Sequence, residues 1–476
     1  MKKCLLFLLT ATVLLGMLAG CSGKEQPPVQ TGGDGDTGTD TGAPDVVAEY
    51  PTHPEWEPRE FHLLALNGYN DTHRFVDFEE TGDPIVSASV ARTNYVQTNY
   101  NIDLILDYTG DVLTSVRNDF LGGGGNIDLV YPHPTSGIVT LMTEGYLANL
   151  LDRSELTLGG EWYNQSQIEN YQVNGKLYLA ASDYSITGQG FAGIVYNKPL
   201  YESQGFEQNL YEEVKNGTWT YEMMLEMIED FNSMEEDGVA KTYGLILHQG
   251  YLYQWTYAFG ENILVRNGDG AYEIGFDSAH LSDIADAVYD LVWNNYGVLR
   301  GSSINASFPT SEMFTTYSGG RGLFFTYDIG GLYNLLRDLS FDIGFLPTPK
   351  FDTAQEDYRV LCASGFFGIP ALAPDVGQSA VILEILSRYS YREMRPTFFE
   401  AILQGRLADE PEDYEMLELM HAKKYFDFGV TLDAEEQVKN ILYNVVVDGQ
   451  SRNISGYMRA KRADFDRLAE LANNIS

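Results

Sequence analysis

The sequence predicts an α/β protein built on parallel sheets. Short apolar runs of strand length alternate with helix-length segments from about residue 58 onward, and the strand runs end in clusters of turn residues. A hydrophobic content of 44% over 476 residues supplies a real core.

Each element has its own signal. Phe61–Leu66 (FHLLAL) is a buried strand closed by the turn residues Asn67-Gly68-Tyr69-Asn70-Asp71. Residues 83–100 read as a helix, Ile102–Leu106 as a second strand and 110–121 as a second helix that stops at Gly122–Gly125. Ile127–Tyr131 is a third strand, ended by Pro132 and Pro134, and a helix follows over 136–145. Gly175–Ala180 and Gly193–Asn197 are further strands. Thr220 is set to cap the next helix, with Trp219 packing on Met224 as a staple and Met224, Ile228 and Phe231 on one face. Tyr243–Leu247 is a strand leading to an aromatic loop with Tyr251, Tyr253 and Trp255. A helix over 279–296 and strands at Leu323–Tyr327, Phe341–Phe345 and Val360–Ile369 come next. From residue 376 the pattern is helical, with Val381, Ile382, Ile385, Leu386 and Tyr389 on one face. Phe465, Leu468 and Ala472 line another face near the C-terminus.

The N-terminus is of a different kind. Lys2 and Lys3 precede an apolar stretch from Cys4 to Leu18, the layout of a secretory signal rather than a membrane span. It ends Leu18-Ala19-Gly20-Cys21, which looks like a lipobox in which Cys21 is acylated and becomes the mature N-terminus. Residues 1–20 are therefore expected to be a lipoprotein signal peptide, and 21–57 a lipid-anchored linker. Residues 22–47 are rich in Gly, Thr, Asp and Pro and cannot bury enough surface to offset the entropy of ordering. The expected location is extracytoplasmic, tied to the cell membrane. Asp34-Gly-Asp36 fails as a calcium loop because Gly38 and Thr39 stand where Asp or Asn and then Gly are required.

Removing the signal leaves roughly 456 residues, room for two or three domains. Lys and Arg number 30 against 68 Asp and Glu, a formal charge of −38, so nucleic acid is a poor partner and monomeric behaviour is expected. Of three cysteines only Cys362 lies in the body, which rules out an intramolecular disulfide there. No G-x-S-x-G, H-E-x-x-H, C-x-x-C or P-loop occurs, and the seven histidines are scattered. No catalytic residue, metal or cofactor is expected. GQGFAG, Gly188–Gly193, matches G-x-G-x-x-G only formally, since a strand rather than a helix follows it.

Several stretches in order resemble the extracellular solute-binding proteins of ABC importers, the sugar-type family 1. These are NGKLYLAASD with GIVYNKPLYESQGFE and GTWTYEMMLEMI; SEMFTTYSGGRGLFFTYDIGGLYNL with FDIGFLPTPK; and VLCASGFFGIPALAP before the helical tail. Together they span about residues 58–476. Ala181 replaces a usual proline and Arg321-Gly322 a usual alanine pair, both on the scaffold. The resemblance implies a two-lobed, type II periplasmic-binding-protein-like fold with a ligand cleft and hinge crossings near 183–188, 305–310 and 358–364. Lobe 1 would hold 58–183 and 309–358, and lobe 2 would hold 184–308 and 359–476.

Ligands of parallel sheets sit outside the carboxyl ends of the strands. The binding candidates are therefore polar and aromatic residues at those ends, at the crossings and in the aromatic loop. They are Asn67, Tyr69, Asp71, Tyr131, His133, Asp183, Tyr184, Tyr251, Tyr253, Trp255, Tyr327 and Asp328. A tyrosine stacks with its body and hydrogen-bonds with its tip, which suits a sugar ring and its hydroxyls. No arginine clusters with these residues, which argues against a phosphate or carboxylate ligand in the cleft. The resemblance thus implies a substrate-binding subunit that captures a neutral oligosaccharide by hinge closure for permease subunits. A surface glycan-binding lipoprotein without a transporter and an extracellular glycosidase are the alternatives, and peptide and polyamine ligands stay open.

Overall fold

The structure, a computed structural model, describes residues 47–134, 137–231, 241–301, 311–329, 339–403, 411–433 and 435–475. The expected signal peptide, Cys21, the linker up to residue 46 and the crossing near 305–310 lie outside the described residues.

Three strands near the N-terminus, β1 (Arg59–Leu66), β2 (Ile102–Thr109) and β3 (Leu129–Tyr131), form a parallel sheet in the order β2-β1-β3. The helix Pro84–Tyr100 connects β1 to β2. Asp83 caps it by accepting the Ile85 N–H at 2.8 Å, and Pro84 sits where a missing N–H costs nothing. The sheet is extended by a later segment. Val130 and Gly368 exchange backbone hydrogen bonds of 2.9 and 3.0 Å, and Ala180 and Phe367 exchange two of 2.9 Å.

The second sheet is built from β4 (Gly190–Asn197), β5 (Tyr243–His248), β8 (Val298–Gly301), β9 (Gly322–Asp328), β10 (Ile343–Leu346), β11 (Val360–Ala363) and β12 (Lys424–Tyr425). Between β5 and β8, β6 (Leu264–Arg266) and β7 (Tyr272–Ile274) make a separate antiparallel pair. The order is β12-β11-β4-β9-β5-β8. One edge of β4 is shared: β11 pairs with its start, at Gly190 and Phe191, and β10 with Ile194–Asn197. The other edge pairs with β9.

These pairings correct the expected division of the chain. Residues 309–358 do not join the first segment, because β9 is hydrogen-bonded between β4 and β5. Nor does the whole of 359–476 join the second sheet. Phe367 and Gly368 belong to the first, and the helix Val376–Tyr389 is bonded to it through polar side chains. An unbroken apolar run such as LFFTY can sit in any buried strand slot, so its sequence does not name its neighbours.

The glycines of GQGFAG answer a packing demand. A Cβ on Gly190 would meet Asp328 Oδ2 at 2.4 Å, and one on Gly193 would meet Met420 Cε at 2.4 Å and the Leu346 carbonyl at 2.9 Å. Strand β4 is buried along nearly its whole length, and its glycines admit neighbours that no side chain would.

Buried charges join distant segments around the first sheet. Arg59 makes a two-pronged pair with the fully buried Asp128 (2.8 and 3.0 Å), and its Nε donates to Gln378 Oε1 at 2.9 Å. Glu384 is fully buried. It accepts the Thr157 N–H at 3.1 Å, the Tyr163 hydroxyl at 3.0 Å and Arg388 Nε at 2.7 Å. The Arg388 guanidinium lies over the rings of Trp162 (4.3 Å) and Tyr50 (4.8 Å). Removing one member of such a set strands the others without water. Glu384→Ala is expected to lower stability by about 3–5 kcal/mol, measured by chemical denaturation; a loss under about 1 kcal/mol would show that the pair behaves as a surface contact.

Candidate functional site

Tyr69 follows the end of β1 and His133 that of β3, Tyr251 and Tyr253 follow β5, and β9 ends at Asp328. The parallel strands of both sheets therefore carry their carboxyl-end loops toward one region, where ligands bind in such sheets. A cavity of about 250 Å³ lies there. Its walls include His133 and Pro134 after β3, Gly250 and Tyr253 after β5, Cys362, Ser364 and Phe366 beyond β11, and Asp427, Thr431, Glu436, Lys439 and Asn440.

The polar groups of this cavity are held in place. Asp427 accepts the N–H groups of Ile263 (2.8 Å), Gly429 (2.7 Å) and Val430 (3.3 Å), yet burial pushes its carboxyl up to about 6. Lys439 pairs with Glu436 at 2.8 Å, and Asn440 donates to the other Glu436 oxygen at 3.2 Å. Burial, helped by the Lys439 ammonium, lowers His133 to about 4, so its ring is neutral at pH 7. Tyr69 is half-buried, with its ring 5.9 Å from those of Tyr131 and His133, and burial pushes its hydroxyl up to about 12. The arrangement offers hydroxyl, amide and carboxylate groups between aromatic walls, with charges of both signs balanced at the rim. Among the described residues no group of three or more His, Cys, Asp or Glu is placed to hold a metal ion.

The candidates read from the sequence separate into groups. His133 and Tyr253 line the cavity. Tyr251 stacks on Tyr253 with ring centroids 6.3 Å apart and meets Tyr327 at 5.0 Å with the rings tilted. Asp328 sits beneath them, accepting the Phe191 N–H at 3.1 Å. Asn67 is exposed on the loop after β1, and the side chain of Asp71 lies outside the described residues.

Four candidates are placed elsewhere. Tyr131 is fully buried, with its hydroxyl 3.2 Å from Ser364 Oγ. Tyr184 is fully buried under the Arg92 guanidinium, and its hydroxyl donates to the Phe75 carbonyl at 3.0 Å. Trp255 belongs to a helix, Leu252–Ala258, and not to a loop. On that helix it turns inward, edge-on to Phe259 at 5.5 Å and to Tyr221 at 6.2 Å, so its loss would open a core cavity and not remove a stacking platform. Asp183 is buried in a second cavity, where it faces Arg395 (3.3 Å) and His421 (3.1 Å).

The sequence reading missed the segment 427–440. Its signal was available in Asp427-Phe-Gly429 and Asp433, turn-forming residues interrupting a stretch taken as helical scaffold.

His133 makes the stability depend on pH. Between about pH 6.5 and 4 an unfolded chain binds a proton on this ring that the folded chain refuses. Its contribution is therefore whole above pH 6.5 and is withdrawn as pH falls toward 4. Asp427 runs the other way: the folded chain holds its proton up to about pH 6, so stability is withdrawn as pH rises through that value. Lys439→Met removes the nearest cation and is expected to move the His133 titration upward toward 6.5, read by NMR of the imidazole. An unmoved midpoint would exclude Lys439 as a neighbour in solution.

No protein-family model and no curated protein matches the sequence. Solved structures do match. An ABC substrate-binding protein from Listeria monocytogenes, in complex with cycloalternan, superposes with a TM-score of 0.56 at 13% identity over 87% of this chain and 100% of that one. An extracellular solute-binding protein family 1 member from Alicyclobacillus acidocaldarius gives 0.53 at 13% identity, over 87% and 100%. Maltose-bound MalE3 of T. maritima gives 0.53 at 13% identity, over 86% and 100%. These likenesses establish a mixed α/β fold of two lobes, the one these solute-binding proteins share.

Proposed function

We propose that this chain is the substrate-binding subunit of an ABC importer and takes up a neutral oligosaccharide. The observation that carries the reading is the cavity at the meeting point of both sheets' carboxyl-end loops. It is lined by tyrosines and by Ser, Thr, Asn, Glu and Lys side chains, on the fold of proteins solved with cycloalternan and with maltose. A sugar offers an apolar ring face to the tyrosines and hydroxyls to the rest.

One lobe is built on the first sheet with the helix Val376–Tyr389, and the other on the second sheet. The chain runs between them at Asp183–Gln189 and at Ala363–Phe366. Ligand gripped by both lobes favours the closed form by its differential affinity for that form, and permease subunits recognise the closed form. No bond is made or broken in this cycle, so none of the cavity residues is assigned a catalytic part. The lobes are tethered outside the cell as a monomer, by lipid on Cys21 after removal of residues 1–20.

Titration of the purified protein against a panel of neutral oligosaccharides is expected to give saturable binding without products. Tyr253→Ala should weaken the best ligand by about 1–3 kcal/mol. Turnover of the glycan, or no binding across the panel, overturns the reading. Cys21→Ala is expected to release the protein from the membrane fraction into the medium; continued membrane retention would exclude the lipid tether.

A further inference from the structure

The second cavity, about 410 Å³, is separate from the one assigned to sugar. Its walls include Ala181–Asp183 and Gln189 at one crossing, Arg395, and His421–Ala422 with Lys424. The two cavities share no lining residue, and strand β11 with its partner β12 stands between them: Cys362 faces one and Lys424 the other.

The charges in this wall do not cancel. Asp183, buried, is answered by Arg395 at 3.3 Å. His421 sits 3.1 Å from Asp183 but is held neutral near pH 7, because burial first and the Lys424 ammonium next lower it to about 4. Lys424 is only 3% exposed. It donates one hydrogen bond, to Gln189 Oε1 at 2.9 Å. The Gln189 amide is fixed in that sense by its own donations to the Ser182 carbonyl (2.7 Å) and Ser185 Oγ (3.1 Å), so it has nothing more to give. The ammonium also lies over the Phe191 ring, 5.2 Å from its centroid, and its remaining hydrogens have no oxygen or nitrogen acceptor among the described residues. Arg395 Nε is buried without a hydrogen bond too, with Glu418 the nearest carboxylate at 3.7 Å. At the rim, Glu161 is exposed and bonded to the Tyr391 hydroxyl, and Glu418 is partly exposed. Among the buried groups of the wall, two cations, Arg395 and Lys424, meet one carboxylate, Asp183; Glu161 and Glu418 stand at the mouth, where water reaches them, with Glu418 3.7 Å from Arg395 Nε. A buried cation with spare donors is costly until an acceptor answers it.

We infer that this cavity binds a small, singly charged oxyanion, a carboxylate in the first instance, between the Lys424 ammonium and the Arg395 Nε–H. Charge-assisted hydrogen bonds of this type are short and strong, and the cavity holds both donors away from bulk water. The inference does not rest on the sugar reading, since it uses a different cavity and different residues.

Acetate titrated into the full protein at pH 7 and constant ionic strength, with chloride as the balancing salt, tests it through thermal melting and calorimetry. A saturable rise in melting temperature is expected, with sulfate and phosphate weaker because their second charge has no partner. Lys424→Met should weaken acetate binding about tenfold or more, the fold-change of one lost charge-assisted bond. Should Lys424→Met fail to fold, Ala422→Phe provides a second arm. Residue 422 is exposed and lines the cavity, so a ring there should block acetate while Lys424 stays in place. No saturable response to acetate in the unaltered protein overturns the inference. So does a response that survives in both variants unchanged.

Discussion

Strand β4 is the constraint on which the second sheet and the crossings depend. It pairs with β9 along one edge and hands its other edge first to β11 and then to β10. Few strands are so fully committed. Seven of its eight residues are buried, so its backbone groups must be satisfied within the protein, by neighbouring strands and, at the Phe191 N–H, by the Asp328 carboxylate. Its two glycines, Gly190 at the start and Gly193 within it, let Asp328 and Met420 approach within the space a side chain would fill. Because β11 leads directly into Phe367 and Gly368 of the first sheet, the same strand that organises one lobe also fixes where the chain leaves it.

Buried acids do the corresponding work between segments. Asp128 binds Arg59 and the His62 N–H on β1, and lies 3.4 Å from Ser379 Oγ on the helix Val376–Tyr389. Glu384 on that helix reaches back to Thr157 and Tyr163. Arg92 is sealed in a similar way, donating to the Phe75 carbonyl at 3.0 Å and Ser390 Oγ at 2.8 Å beneath the Tyr184 ring. Contacts of this sort are poor sources of net stability but strongly disfavour misdocking, because every alternative leaves a charge dry and alone. They explain why a late helix returns to the first lobe although the chain has meanwhile built the second.

Much of this was legible before the structure, where the signal was local. Asp83 and Thr220 are caps as their types require, each accepting a backbone N–H of its helix. The run Phe61–Leu66 and the turn residues after it gave β1 and its loop. What stayed hidden was non-local or depended on rotation about a helix axis. Tyr251, Tyr253 and Trp255 look equivalent when read as a loop. In the helix that starts at Leu252, Tyr253 and Trp255 are turned about 200° apart, so that Tyr253 lines the cavity while Trp255 ends in the core. Asp183 and Tyr184 were expected beside a crossing, and a polar residue at such a place can face either cavity. The sequence does not say which. Residues 427–440 were missed because their neighbours in space, His133 and Tyr253, lie hundreds of positions or more than a hundred away.

Cys362 is the free cysteine of the described body, and burial has pushed its thiol up to about 12. A thiol reacts as its thiolate, so this one is silent toward alkylating reagents at neutral pH. The body is in effect prepared for labelling. Cysteines introduced on exposed positions of the two lobes would take up a dye pair without first deleting a native group. The distance between the dyes would then report directly on how far the lobes travel.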